Sequence, residues 1–144
     1  MKRHPLLHIL SAPLAMLIML LVSGCTHNNG DIGPLYGQWK LTEIDIDGTP
    51  SADYEGNVFW SFQSSAIEIK ALYPYHEVQQ CYGNWSMDGD ELRLDFPDER
   101  WQLPGEVMLP ASSVLHVLAL NTRHALFRYN GSDGHIITYT LEKW

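Results

Sequence analysis

After about residue 35, apolar and polar positions alternate with the two-residue period of half-buried β-strands. The alternation is clearest in Glu91–Phe96, where Leu92, Leu94 and Phe96 share one face. Asp88-Gly89-Asp90 comes just before this run and predicts a tight hairpin turn. Runs of the same kind predict strands over Tyr36–Ile46, Asn57–Gln63, Ala66–Leu72, Glu77–Met87, Glu91–Phe96, Ser113–Leu120, Ala125–Tyr129 and His135–Lys143.

Two segments are less regular than these runs. Arg100–Leu103 lies among prolines and is predicted to form a short edge piece. Ser113–Leu120 is apolar enough for a helix or a strand, and its short length favours a strand. Because strands recur at short intervals and no convincing amphipathic helix is present, the pattern indicates an all-β sandwich or barrel.

The first 24 residues have a different composition from the rest. Lys2 and Arg3 give a positive start, and an apolar stretch follows over Leu6–Val22, which is the layout of a secretory signal peptide. A membrane-spanning helix is the rival interpretation. It is disfavoured because His8 and Pro13 interrupt the stretch, which is also shorter than the ~20 apolar residues that a span needs.

Leu21-Val22-Ser23-Gly24-Cys25 resembles the lipobox of bacterial lipoproteins. In that family the leader is cut before the cysteine, which then receives acyl chains. The resemblance implies that Cys25 is lipidated and anchors the protein in a membrane. In known lipoproteins an Asp after the lipidated cysteine implies retention in the inner membrane. Here Thr26 follows instead, so the resemblance implies the outer membrane, and we favour its periplasmic face. The predicted organisation is a removed signal peptide (1–24), a lipidated cysteine with a flexible tether (25–34) and one β-barrel domain (35–144).

Gly37-Gln38-Trp39, at the start of the first predicted strand, resembles the lipocalin signature. Together with Asp47-Gly48 and the closing Tyr139–Lys143, it is similar to the lipocalin-like domains of gut-bacterial lipoproteins. The resemblance implies an antiparallel up-and-down β-barrel of about eight strands, in which Gly37, Trp39 and Lys143 form a structural plug at one end. The family places a cation over the tryptophan, and here Lys143 lacks the planar stacking face of arginine.

Charge and chemical motifs exclude several function classes. The formal net charge is −8, and it becomes −10 when Lys2 and Arg3 are removed, so no basic patch is left to bind nucleic acid. The histidines lack zinc-site spacing, and no nucleophile elbow, phosphate loop or HExxH motif is present, so we predict no metal, no cofactor and no enzymatic activity. With Cys25 lipidated, Cys81 has no intrachain partner. We interpret it as a small buried apolar residue rather than a reactive thiol.

The aromatic residues carry the remaining functional signal. An eight-stranded barrel has an interior that side chains fill or that holds one small ligand. Trp60, Phe62, Tyr82 and Tyr139 are the candidate ligand-binding residues, and period two places Tyr139 on one face with Ile137 and Leu141. One hypothesis is a tethered barrel that binds a small apolar or amphipathic ligand. The alternative is a filled barrel that contacts an envelope protein, and close packing of the interior would favour it.

Overall fold

The computed structural model of the chain describes residues 33–144. The predictions for the signal peptide, for Cys25 and for most of the tether therefore lie outside the described residues. Within the described range the chain forms strands β1 (Gly37–Ile46), β2 (Thr49–Pro50), β3 (Val58–Gln63), β4 (Ala66–Leu72), β5 (Val78–Asp88), β6 (Glu91–Asp95), β7 (Ser112–Leu120), β8 (His124–Asn130) and β9 (Ile136–Lys143).

The eight longer strands close into an antiparallel barrel. Each pairs with the next along the chain from β3 to β9, and β1 pairs with both β3 and β9. The closing ladder places Trp39 opposite Lys143 at one end and Ile46 opposite Ile137 at the other. The two-residue β2 pairs only with the end of β1. The predicted all-β, antiparallel up-and-down barrel of eight strands is confirmed, and it follows from strands whose period-two faces must all be buried together.

The predicted strand positions hold to within about one residue at each end, with one exception. Ser112–Leu120 is a strand, as its length indicated. Arg100–Leu103, predicted as an edge piece, does not form a strand, so that prediction is wrong. The carbonyl oxygens of this segment accept hydrogen bonds from side chains of β5 instead of a neighbouring strand: Gln79 donates to Gln102 and Leu103, and the Cys81 thiol to Trp101.

The core lies inside the barrel. Leu41, Ile69, Leu94, Phe127 and Leu141 are among its members and are almost wholly buried. In β1 the ladder to β9 shifts between residues 41 and 43, as a β-bulge does. Because of this shift, the inward-facing positions of β1 change from odd to even residue numbers. The next buried side chain after Leu41 is therefore that of Ile44.

The barrel has two different ends. The closed end is where β1 begins and β9 ends, and the open end is where β1 ends and β9 begins. At the open end the loop 96–111 joins β6 to β7 and contains the short 3-10 turn Gly105–Val107. Val107 is fully buried, so this loop dips into the barrel rather than standing away from it.

Residues 33–144 form a unit of a size that folds without external support. The strand ladder is closed by the pairing of β1 with β9, and the buried apolar residues other than Phe59 form one hydrophobic cluster. A chain of this length buries enough apolar surface to fold without disulfides or metals. Among the described residues, no helix has the length and apolar character needed to cross a membrane.

Candidate functional site

Gly37, Trp39 and Lys143 come together at the closed end of the barrel. Trp39 is fully buried, and its indole N–H donates to the carbonyl oxygen of Leu35 at 2.7 Å. The ammonium of Lys143 lies 4.5 Å from the centre of the Trp39 ring and donates to the carbonyl oxygen of Tyr36. Lysine thus provides the cation over the tryptophan that the resemblance implied, as a point charge rather than a stacked plane.

Gly37 makes room for this arrangement. Its φ is +109°, in the region that favours glycine, and a Cβ built there would lie 3.0 Å from the Lys143 Nζ. Burial against the tryptophan lowers the pKa of Lys143 below its ordinary value. Trp39 and Lys143 thus both contact other residues of the barrel at this end, which agrees with the structural plug that the resemblance implies.

Aromatic rings occupy the middle of the barrel. Trp60, Phe62, Phe127 and Tyr139 are fully buried. The Trp60 ring centre lies 5.6 Å from that of Tyr139, 6.1 Å from that of Phe127 and 6.4 Å from that of Phe62. Such separations are those of interacting aromatic pairs, so these side chains fill the central section of the interior.

Tyr139 points inward on the face predicted for it, together with Ile137 and Leu141. Its phenol donates to the carbonyl oxygen of Val107 at 2.7 Å, and burial raises its pKa far above the ordinary value. The protein therefore satisfies this phenol from its own loop. The indole N–H of Trp60, by contrast, has no hydrogen-bond partner among the described residues.

Tyr82, predicted for the interior, lies on the outside, so that prediction is wrong. Its side chain is 45% exposed, and its phenol donates to the carboxylate of Glu68 at 3.0 Å. Successive residues of a strand point to opposite faces, and Cys81 is the fully buried one of this pair. The Tyr82 ring instead meets that of Trp101 edge-on, at 5.7 Å between centres.

A cleft of about 500 Å³ opens at the open end of the barrel. None of the residues that line it was predicted as a site residue. Apolar side chains from β1, the loop 96–111, β8 and β9 form its walls, and a polar loop between β8 and β9 borders it. The lining residues are Ile46, Met108, Pro110, Tyr129, Gly131, Ser132, Asp133, His135 and Ile137.

An ion pair stands at the edge of this cleft. The Nδ1 of His135 lies 2.6 Å from a carboxylate oxygen of Asp47, whose other oxygen accepts the backbone N–H of Ile136 at 2.8 Å. The Ile136 N–H and the histidine lower the pKa of Asp47, and the carboxylate of Asp47 raises the pKa of His135. Asp133 accepts the backbone N–H of His135 at 3.1 Å. The edge therefore combines two carboxylates with one imidazole.

Sequence reasoning missed this cleft because its signals are those of turns. Asp47-Gly48 and the stretch 130–134 both have turn composition, and their polar residues are ordinary there. They become neighbours only because β1 pairs with β9, which brings residues 88 positions apart into contact. One sequence signal could have indicated the cleft. Ile46 and Ile137 are apolar residues at the ends of the first and last long strands, which a closed barrel must pair.

The family described as the lipocalin-like domain matches residues 19–140 of the sequence. That range covers most of the chain. The chain belongs to the lipocalin-like domain family. The match agrees with the closed barrel and with the Gly37-Gln38-Trp39 group at its closed end.

Two solved bacterial structures are similar to this lipocalin-like chain. A lipocalin-like protein from Bacteroides uniformis ATCC 8492 aligns with a TM-score of 0.64 at 21% identity, over 78% of this chain and 100% of its own. A protein from Bacteroides eggerthii DSM 20697 aligns with a TM-score of 0.59 at 17% identity, over 76% and 99% of the two chains. At these sequence identities the similarity shows a common fold alone. No protein of curated function matches the sequence significantly.

Cys81 of the lipocalin-like barrel is fully buried. Burial raises the pKa of its thiol, so the nucleophilic thiolate is scarce at neutral pH. This placement is the one expected for a small apolar core residue. Within residues 33–144 no three His, Cys, Asp or Glu side chains gather in a way that could hold a metal ion.

Proposed function

We propose that this lipocalin-like protein binds a small apolar or amphipathic molecule in the open-end cleft while a lipid on Cys25 tethers it to the cell envelope. Members of lipocalin-like families typically bind small hydrophobic ligands and are generally not enzymes. The proposal combines that family tendency with the geometry of this chain.

The observation that carries the proposal is the cleft itself. Its volume of about 500 Å³ lies within the roughly 300–1,000 Å³ of small-molecule sites. Ile137 is almost wholly buried at its floor, while Tyr129 and Ile46 are half-buried at its walls. Apolar walls with a few polar groups at one edge are the usual composition of such sites. Because aromatic side chains fill the central barrel, we propose that the ligand binds at the mouth and not beside Trp60 and Tyr139, which were predicted from the sequence.

A dye-binding measurement tests the cleft. The chain from Thr26 to Trp144 lacks the leader and the acylated cysteine, and it can be handled without detergent. We expect neutral N-phenylnaphthylamine to bind with a rise in fluorescence, and Ile46→Trp to weaken binding at least tenfold by filling the cleft. Val114→Trp is the matched control, since Val114 is an exposed residue of β7 outside the cleft. Equal binding by both variants would contradict the proposed site.

The tether rests on the sequence motif that ends at Cys25. Each buried methylene contributes ~0.8 kcal/mol, so several acyl chains hold a protein on a bilayer almost irreversibly. We propose the outer membrane and its periplasmic face as the location. Cys25→Ser is expected to leave the protein unlipidated and to release it from the membrane fraction. A variant that stays membrane-bound with its leader intact would favour the transmembrane interpretation.

Contact with an envelope protein is the second candidate function, and both the aromatic filling of the barrel interior and one exposed surface favour it. Tyr75 is 94% exposed, and Val78, Tyr82 and Trp101 are each at least 40% exposed at neighbouring places on β5 and the loop 96–111. Exposed apolar patches of this kind often mark interaction sites. A photo-crosslinker in cells at Tyr75 should then capture one defined partner, whereas one at Arg128, exposed on β8, should not. Capture at neither position would leave the surface without a partner role.

A further inference from the structure

We infer that the open-end cleft is selective for amphipathic cations, molecules with an apolar chain and a positively charged, ammonium-type head. This inference rests on the proposed function, because it names the class of ligand that the same cleft takes. It depends on two observations: the sign of the charges at the edge of the cleft, and the aromatic and aliphatic walls beneath them.

Carboxylates outnumber cations at the edge of the cleft. Asp133 lines it, and Asp47 stands beside it in contact with His135. No lysine or arginine is among the lining residues of the described chain. Whether His135 is neutral or protonated, these three groups together carry negative charge. An anionic head would meet that charge, and a cationic head would compensate it.

Asp133 has an oxygen available to a ligand. One oxygen of its carboxylate accepts the backbone N–H of His135, and the other has no hydrogen-bond or ion-pair partner among residues 33–144. Both oxygens of Asp47 have partners within the protein, on Ile136 and His135. Asp133 is therefore the expected direct contact of the cationic head, while Asp47 adds charge and positions the imidazole.

The walls of the cleft suit the rest of such a molecule. Ile46 and Ile137 face each other across the closing ladder, and Met108 and Pro110 border the cleft from the loop 96–111. Tyr129 provides an aromatic ring near the acidic edge, and cations are attracted to aromatic faces. The nearest arginine along this strand, Arg128, is exposed at the adjacent, outward-facing position.

Three ligands with the same ten-carbon chain test the inference: decylammonium, decanol and decanoate. Their binding to the chain from Thr26 to Trp144 is measured by displacement of N-phenylnaphthylamine at pH 7.5 and low salt. We expect decylammonium to bind at least several-fold more tightly than decanoate, with decanol between them. The difference should shrink in 1 M salt, which screens exposed charges.

Two charge-matched variants separate the cleft from the general acidity of the protein. Asp47→Asn/Asp133→Asn removes two charges and keeps the carbonyl oxygens that accept backbone N–H groups, and asparagine tolerates the positive φ of residue 47. We expect it to weaken decylammonium binding about two- to fivefold for each charge and leave decanol unchanged. Asp88→Asn/Asp90→Asn removes the same charge at the β5–β6 turn, at the closed end, and should change neither.

The outcomes distinguish failure of the charge preference from failure of the proposed ligand binding. Equal affinity for all three ligands, or tighter decanoate, would overturn the inference while the proposed apolar site stands. Equal weakening by both double variants would assign the preference to net charge and also overturn it. If neither the dye nor any of the three ligands binds, the proposed function fails and the inference fails with it.

Discussion

Replacement of Gly37 by alanine perturbs the closed end of the barrel in two separable ways. The first is backbone strain, because the φ of +109° lies where side chains with a Cβ are disfavoured. Holding a non-glycine residue in such a region costs about 1–2 kcal/mol. The second is steric: the new Cβ would lie 3.0 Å from the Nζ and 3.2 Å from the Cε of Lys143.

The lysine must move away from Trp39 to relieve that contact. Its ammonium now lies 4.5 Å from the ring centre, and a cation–π contact at a partly exposed site is worth about 0.5–1 kcal/mol. Strain and lost contact together predict that Gly37→Ala lowers the free energy of unfolding by about 1.5–3 kcal/mol. With a urea m-value of about 1–3 kcal/mol/M, the midpoint of unfolding should fall by about 0.5–3 M.

Gly48→Ala is the matched control for the strain. Gly48 also has a positive φ, +85°, but a Cβ there meets no atom within 4 Å. Gly48→Ala should therefore destabilise the barrel by the backbone strain alone. Both variants also replace a glycine in the unfolded chain, so that effect cancels in the comparison. In a Lys143→Met background the two alanine variants should become more alike, with a coupling of about 0.5–1 kcal/mol in a double-mutant cycle.

Urea unfolding followed by tryptophan fluorescence measures all of these variants. The steric part of the reasoning is refuted if Gly37→Ala and Gly48→Ala unfold at the same midpoint. The strain part is refuted if Gly37→Ala stays within the ±0.5 kcal/mol that is usual for surface substitutions.

Three further results are expected. Trp39→Ala should destabilise the barrel by about 3–5 kcal/mol, because it empties a fully buried indole site, and urea unfolding measures the loss. Tyr139→Phe should cost about 1–3 kcal/mol, since the buried carbonyl of Val107 loses the hydrogen bond from the Tyr139 phenol, again seen as a shifted midpoint. In an NMR titration, His135 should show a pKa above its ordinary 6.5, and Asp47→Asn should lower that pKa towards 6.5, because the carboxylate that favours the charged imidazole is gone.

Each of these has a control on the same protein. Tyr82→Phe should change the unfolding midpoint little, because its phenol is exposed, and an effect equal to that of Tyr139→Phe would contradict the burial argument. Loss of less than 1 kcal/mol in Trp39→Ala would show that the indole does not support the closed end. A His135 pKa that does not respond to Asp47→Asn would mean that the 2.6 Å contact does not persist in solution.

The strands and most inward faces could be predicted from the sequence, because alternation is a local property. Residues two apart lie on the same side of a strand whatever the strand packs against. Ile137, Tyr139 and Leu141 therefore share the interior as their spacing predicts. The Gly37-Gln38-Trp39 group was also visible, since a three-residue pattern needs no knowledge of the fold.

Some strands carry apolar residues on both faces. For these strands, the tertiary structure decided which face is inward. In β5 both Cys81 and Tyr82 are plausible core residues, and only the packing of the closed barrel turns Cys81 inward. In β1 the bulge after Leu41 changes the inward positions from odd to even, and no local signal marks it.

The candidate site depends wholly on long-range contacts. Residue 47 meets residue 135 only because the first and last long strands pair, and Met108 reaches the same cleft only because its loop returns over the barrel mouth. Taken separately, these segments have the composition of ordinary turns and loops. Closure of the barrel places them side by side, because a ring of strands must bring its two ends together, and the sequence carries no local record of that proximity.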